Sequence, residues 1–118
     1  MGINSTEVAY GFGQMGSVFT KASSDAIIPP TNAVFVAITM LEATTFDADG
    51  FETETPTKFV NGSSTISNDL DSGAETTDGG SGGARVVVGT TFPAGVTIYG
   101  RWTELDVNSG SVIAYIGQ

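Results

Sequence analysis

The sequence contains neither cysteine nor histidine. Without cysteine, the chain cannot form a disulfide, a thiolate nucleophile or a cysteine-ligated zinc site. Without histidine, it lacks the side chain that most often acts as a general base near neutral pH and that most often ligates metals. Ser/His/Asp and Cys/His catalysis are therefore excluded. We predict that the protein is not an enzyme and that it holds no cofactor.

Basic residues are also scarce, since four Lys and Arg oppose 13 Asp and Glu and the net charge is −9. Such a chain repels a phosphate backbone and an anionic membrane surface, so we expect no nucleic-acid partner and no membrane partner. No apolar run approaches the roughly 20 residues that cross a bilayer. The first residues lack the basic flank and apolar stretch of a signal peptide, which predicts a protein made in a cytoplasm.

The last quarter of the chain has the period-two pattern of a β-strand. Val96, Ile98, Gly100, Trp102 and Glu104 alternate with Thr97, Tyr99, Arg101, Thr103 and Leu105. The turn residues 108–110 then precede a second β-branched and aromatic run at 112–116, so the pattern predicts a C-terminal β-hairpin.

Trp102 is in phase with Val96 and Ile98, which predicts that its ring fills the core; the alternative is an interface anchor. Tyr99 and Arg101 are on the opposite face. They are therefore candidate interface residues, because tyrosine and arginine dominate the energetics of interfaces. Arg101 could instead pair with Glu104 or another surface acid, which would contribute little to stability.

Residues 33–42 predict a central strand that is buried on both faces. Val34, Val36, Ile38 and Met40 form one apolar face, with mostly apolar residues between them. A helix is the competing interpretation, but β-branched residues and the preceding prolines favour a strand. A further strand is predicted over 84–91. The fold class is therefore all-β: a single small β-sandwich or jelly-roll/barrel-like domain over residues 31–118, ending in the C-terminal hairpin.

Residues 1–30 are predicted to form an N-terminal arm or an irregular edge. Glycines separate Tyr10, Phe12 and Phe19, and the segment lacks the alternation of a core strand. One interpretation is a loop whose aromatic side chains cap the core of the domain itself. The other is an arm that docks on another subunit, which makes these three aromatic residues candidate interface residues.

Residues 42–83 form an acidic loop region in which carboxylates cluster around Gly50. Hard cations such as calcium prefer several oxygen ligands on a turn, so Asp47, Asp49, Glu52 and Glu54 are weak candidate metal ligands. The spacing of an EF-hand is absent. A solvated acidic loop explains the pattern with fewer assumptions, and we expect no metal site.

Three segments of the chain carry a resemblance: YGFGQMGS near the start, FPAG-V-TIYGRW near the end, and the terminal VIAYIG. They resemble small virion structural proteins of marine tailed bacteriophages, among them capsid decoration proteins; the acidic middle has no such match. The resemblance implies a capsid decoration (cement) protein on the capsid surface, synthesised in the host cytoplasm. Its partner would be the major capsid protein, and it would form a homo-oligomer, with a trimer favoured. The alternative is a tail, fibre or adhesin module that binds a host-surface glycan.

Overall fold

A computed structural model describes residues 15–54, 59–62, 86 and 88–118. These residues form one antiparallel sheet in the order β1-β5-β2-β4-β3 and no helix. The all-β prediction is therefore confirmed. Nothing in this part of the chain is a helix long and apolar enough to cross a membrane. The strands are β1 (Ser17–Lys21), β2 (Val34–Met40), β3 (Thr45–Thr53), β4 (Thr97–Ser109) and β5 (Ser111–Gly117).

The central strand of the sheet is β2, as its two apolar faces predict. It pairs with β5 on one side and β4 on the other, and all of its residues except Thr39 are buried. A register shift between Phe35 and Ala37 interrupts the alternation. Phe35 therefore joins Ile38 and Met40 in the hydrophobic core cluster, in the place that strict alternation gives to Val36.

Strand β4 bends sharply in the middle. Its first half pairs with β2 and its second half with β3. A straight strand of 13 residues would be about 40 Å long. Met40 bonds to the residue just before β4 and Thr45 pairs with the last residue of β4, yet the chain between Met40 and Thr45 spans at most about 18 Å. The two ends of β4 are therefore too close together for the strand to be straight. The bend folds the sheet over a single core, in the manner of a small sandwich or barrel.

The predicted pairing of a C-terminal hairpin is wrong. The chain does pass from β4 to β5 through a single residue, Gly110, whose φ of +94° favours glycine. However, β2 lies between β4 and β5 and is antiparallel to both. The second half of β4 pairs with β3, and β5 pairs with β2 and not with β4.

An aromatic cluster fills the fold beside the bend. The Phe51 ring centroid lies 4.6 Å from that of Phe46 and 5.3 Å from that of Trp102, and Phe92 closes the group at 5.8 Å from both phenylalanines. Trp102 is 1% exposed and its indole Nε1 donates a hydrogen bond of 3.0 Å to the carbonyl oxygen of Val60. The prediction that Trp102 belongs to the core is confirmed.

Part of the predicted N-terminal arm belongs to the sheet. Residues 1–14 lie outside the described part of the chain, but Ser17–Lys21 form a regular edge strand in register with β5. Further on, Ile27 forms an isolated bridge with Leu105. The described residues before 31 therefore include a regular edge strand and a bridge to β4 at Ile27, joined by a turn in which the N–H of Ser24 donates to the carbonyl oxygen of Lys21.

The predicted strand over 84–91 is not found among its described residues. Val86 is buried, and its backbone N–H donates 2.8 Å to the carbonyl of Asn61 outside any strand. Val88 and Gly89 form a turn. Within this segment Val86 is buried against the chain around Gly62, where its carbonyl oxygen approaches too closely for a side chain, whereas Val88 is exposed.

Replacing Trp102 by alanine should lower the free energy of unfolding by about 3–5 kcal/mol, because a buried ring and its hydrogen bond are both lost. That is a large fraction of the 5–15 kcal/mol typical of a whole domain. Urea unfolding followed by far-UV circular dichroism would measure the change. A Trp102→Phe variant keeps most of the ring and should lose less. An alanine variant as stable as the parent would remove Trp102 from the core.

Replacing Gly110 by alanine should lower stability by more than Gly95→Ala does. Both glycines have positive φ, so both variants strain the backbone, by about 1–3 kcal/mol. At Gly110 the new methyl group would also collide with the carbonyl oxygen of Ala43 and the hydroxyl of Thr44, whereas at Gly95 it meets nothing. Thermal melting of the two variants measures the difference. Equal losses would show that the collision relaxes without cost.

Candidate interface

One surface of the sheet runs across four strands and faces away from the core. Its first row consists of Phe19, Ile113, Thr39 and Thr97, which are cross-strand neighbours in that order. Its second row consists of Ser17, Tyr115, Ala37 and Tyr99. Cross-strand partners point to the same side of a sheet, so these eight residues form one surface, which we call the outer face.

The outer face is uncharged and carries exposed aromatic rings. Phe19 is 56% exposed and Tyr99 61%, and they lie at opposite edges of the four strands, with Ile113 and Tyr115 half-buried between them. The hydroxyls of Thr39 and Thr97 hydrogen-bond each other at 2.8 Å across β2 and β4. An uncharged surface with exposed aromatic rings is typical of a protein–protein or ligand-binding surface.

Arg101 borders the outer face, two residues beyond Tyr99 on β4. Its Nε donates to a carboxylate oxygen of Glu54 in an ion pair, and its Nη1 donates 3.0 Å to the carbonyl oxygen of Gln118. The acid that pairs with Arg101 is thus Glu54, at the end of β3. Because the pair is partly exposed, its main effect is to fix the position of the guanidinium, with little gain in stability.

The structure brings together three of the five predicted interface residues. Phe19, Tyr99 and Arg101 occupy outward positions on the same sheet, while Tyr10 and Phe12 lie outside the described residues. Two further residues of the outer face, Ile113 and Tyr115, are not among the predicted candidates, although Tyr115 is of the residue type that dominates interfaces. Their alternation with the core residues Val112, Ala114 and Ile116 contained the signal, because period two places the intervening residues on the outer face.

A second surface of the molecule is acidic. It lies on β3 and the second half of β4, where Glu52 is opposite Glu104 in the register and a side-chain hydrogen bond joins Asp47 to Asp106. We call these four residues the acidic side. The pKa of the Asp106 carboxyl is raised, first by burial, then by the charge of Asp47 and its hydrogen bond, and then by the charge of Asp25.

The first part of the predicted acidic loop is a strand. Residues 45–53 form β3, in which a step of five residues from Phe46 to Phe51 is matched by a step of two on β4. The four residues between them, 47–50, lie opposite the single residue Asp106 and form a large bulge. A bulge accommodates this polar segment and still returns Phe51 to the core, which is why a run rich in Asp and Gly remains in the sheet.

The four candidate metal ligands have different neighbours. Asp47 contacts Asp106, Glu52 is opposite Glu104, Glu54 pairs with Arg101, and the side chain of Asp49 is outside the description. Within the described residues, no group of three or more acidic side chains is arranged to hold a metal ion. The strand disperses these carboxylates, whereas a turn would have gathered them.

Replacing Asp106 by asparagine should raise the melting temperature by a few degrees at pH 7. The raised pKa means that the folded protein disfavours the charged carboxylate, so stability is lost as the pH rises above the ordinary value of 3.8. Well below that pH the carboxyl is protonated in both states, and the gain should vanish. Thermal melts of parent and variant from pH 3 to 8 test the sign, and a gain that is independent of pH would contradict it.

Comparison with known proteins finds no relative from which a role could be transferred. No protein-family model, no curated protein and no solved structure matches the chain. Function must therefore be inferred from the chain's own surfaces: an uncharged aromatic outer face on β1, β5, β2 and the first half of β4, and a group of carboxylates on β3 and the second half of β4.

Proposed function

We propose that the chain is a structural protein of a phage virion, and specifically a capsid decoration protein that docks on the assembled head lattice through its outer face. The observation that carries the proposal is an exposed, uncharged aromatic surface on a chain whose net charge is −9. Phe19 and Tyr99 are exposed to solvent in the free chain. Burying these two rings against a partner would therefore be favourable.

The segments that carry the resemblance support the proposal, since they contribute residues to the outer face. TIYGRW contributes Thr97 and Tyr99 and places Arg101 at the border, and VIAYIG contributes Ile113 and Tyr115. In both segments the intervening residues, such as Trp102, lie in the core. The same short sequences therefore determine the fold and the surface that would meet the capsid.

The mechanism is the burial of apolar surface, repeated at many sites. Each copy would cover part of a junction between subunits of the major capsid protein, and a stable contact of this kind buries on the order of 1,200–2,000 Å². The acidic side lies on β3 and the second half of β4, beyond the part of β4 that contributes to the outer face. It would point away from the shell and from packaged DNA, so that decorated particles repel one another.

A tail, fibre or adhesin module that binds a host-surface glycan is the second candidate. The observation that favours it is the presence of Tyr99 and Tyr115 on one flat face, because a tyrosine offers a ring for stacking and a hydroxyl for hydrogen bonding. Copy number separates the two roles. Hundreds of copies per particle, counted by quantitative mass spectrometry of purified virions, indicate a head protein, whereas a few copies indicate a tail protein.

Replacing Phe19 by alanine should weaken binding to undecorated phage heads at least tenfold, because truncating an aromatic anchor of an interface costs more than about 1.4 kcal/mol. Tyr99→Ala should act in the same direction. Purified protein is mixed with heads, the particles are sedimented, and bound copies are counted over a concentration series.

The matched control is Ala48→Glu, which adds a charge at an exposed position of β3 near the acidic side. It should leave binding unchanged, since this surface points away from the shell. Full occupancy by the Phe19 and Tyr99 variants would show that the outer face is not the docking surface. Lost binding by the control would reverse the proposed orientation.

A further inference from the structure

Strand β1 leaves one edge of the sheet open. In an antiparallel ladder, residues that exchange two hydrogen bonds with the neighbouring strand alternate with residues that make none to it. The N–H of Ile116 on β5 donates to the carbonyl oxygen of Gly16 at 2.8 Å, and the unbroken register of β1 extends this pattern to its other even-numbered residues. The backbone groups that point away from β5 are those of Ser17, Phe19 and Lys21. We call them the open edge.

Most groups of the open edge lack a partner. The carbonyl oxygen of Lys21 accepts a hydrogen bond of 2.9 Å from the N–H of Ser24, in the turn that follows β1. Within the residues that the structure describes, nothing bonds to the three outward N–H groups or to the carbonyl oxygens of Ser17 and Phe19. A row of backbone donors and acceptors therefore faces outward along a regular strand.

The other edge of the sheet, β3, is protected against pairing. The bulge at 47–50 interrupts it, and the N–H of Gly62 donates 2.7 Å to the carbonyl oxygen of Phe51. Edge strands are commonly blunted by bulges, prolines, charges or short length. Strand β1 is short, but it contains no bulge and no proline, and its single charge is on its last residue, Lys21.

We propose that β1 binds an extended segment of another protein, which adds to the sheet as a further strand beside Ser17–Lys21. The open edge itself selects this occupant. Its N–H and C=O groups recur at every second residue, which is the spacing at which a second strand presents its own acceptors and donors. A compact ligand could use only part of this row, whereas a strand can bond to all of it.

The side chain of Phe19 supports the same occupant. Phe19 has Ile113 of β5 as its cross-strand neighbour on one side, and its ring is 56% exposed because β1 is the last strand of the described sheet. A residue of the added strand would lie directly opposite Phe19 on its other side. An apolar side chain at that position would cover the ring, which is favourable.

Charge limits the chemistry of the partner. The chain has a net charge of −9, so an acidic segment, including one from a second copy of the chain, would be repelled as it approached. We therefore expect a segment that is neutral or basic and has apolar residues at alternate positions. The inference goes beyond the proposed function, since it requires no virion.

Amide hydrogen exchange of the full chain, followed by NMR, tests whether the edge is open. In the free protein, the amides of Ser17 and Phe19 should exchange about tenfold or more faster than those of Val18 and Thr20, which bond to β5. If Ser17 and Phe19 were already protected in dilute protein, the chain itself would occupy the edge. Protection that grew with protein concentration would indicate a second copy. Either result would overturn the proposal.

A peptide of about eight residues, in which valine and threonine alternate between terminal lysines, then serves as the probe. It should bind and protect the amides of Ser17 and Phe19. Ser17→Pro removes one outward N–H and no bond to β5, at a strand position that tolerates proline. It should raise the dissociation constant of the peptide roughly tenfold, because a peptide carbonyl loses its donor. The matched control, Ser17→Ala, keeps the N–H and should bind as the parent does.

Two further peptides test the chemistry of the partner without changing the protein. A peptide N-methylated at its internal amides keeps its side chains and charges but cannot donate, so it should not bind. A peptide with terminal glutamates should bind more weakly than the lysine peptide at low salt. No binding by the lysine peptide would overturn the proposal. So would undiminished binding by Ser17→Pro, by the methylated peptide or by the glutamate peptide.

These measurements are independent of the proposed function, because none of them contains phage heads. Peptide binding by a protein that does not decorate heads would leave the open edge standing and remove the capsid role. Decoration of heads by a protein that binds none of the peptides would do the reverse. The methylated peptide keeps the test decisive should Ser17→Pro fail to fold, as judged by its circular dichroism spectrum.

Discussion

The bend in β4 at Trp102 is the constraint on which the rest of the structure depends. It lets one strand pair with β2 along its first half and with β3 along its second. The indole lies inside the bend, stacked near Phe51 and tied to the backbone at Val60. Gly100 makes this possible, because a side chain there would lie 2.7 Å from the ring. A straight β4 would leave the sheet flat, with no enclosed core.

The same bend separates the two surfaces of the molecule. The first half of β4 contributes Thr97 and Tyr99 to the outer face, and the second half contributes Glu104 and Asp106 to the acidic side. The chain can therefore carry a large negative charge and an exposed aromatic patch without mixing them. The acidic side favours solubility and the outer face favours association. A mutation on one of these surfaces should therefore have little effect on the property that the other provides.

Period two was enough to predict the all-β class, the burial of β2 and Trp102, and the outward positions of Tyr99 and Arg101. It failed where the chain departs from regular pairing. The bulge at Phe35 shifts the phase of β2, and the bulge at 47–50 keeps an acidic segment in the sheet. The hairpin prediction failed because the packing of the whole core determines which strands pair. A glycine with positive φ, such as Gly110, lets the chain turn, but it does not determine which strand β5 pairs with.

The order of strands has a consequence for how the protein is made. Among the described strands, every pairing includes β4 or β5: β1 with β5, β2 with both, and β3 with β4. A ribosome synthesises the first 96 residues before either of these strands exists, so β1, β2 and β3 emerge without a partner. Closing such distant contacts is slow, and the apolar residues of β2 stay exposed until the last strand has left the ribosome. A chain truncated within β5 would therefore leave β1 and β2 without their full pairing. We expect such a chain to be bound by chaperones or degraded, and not to fold as a smaller domain.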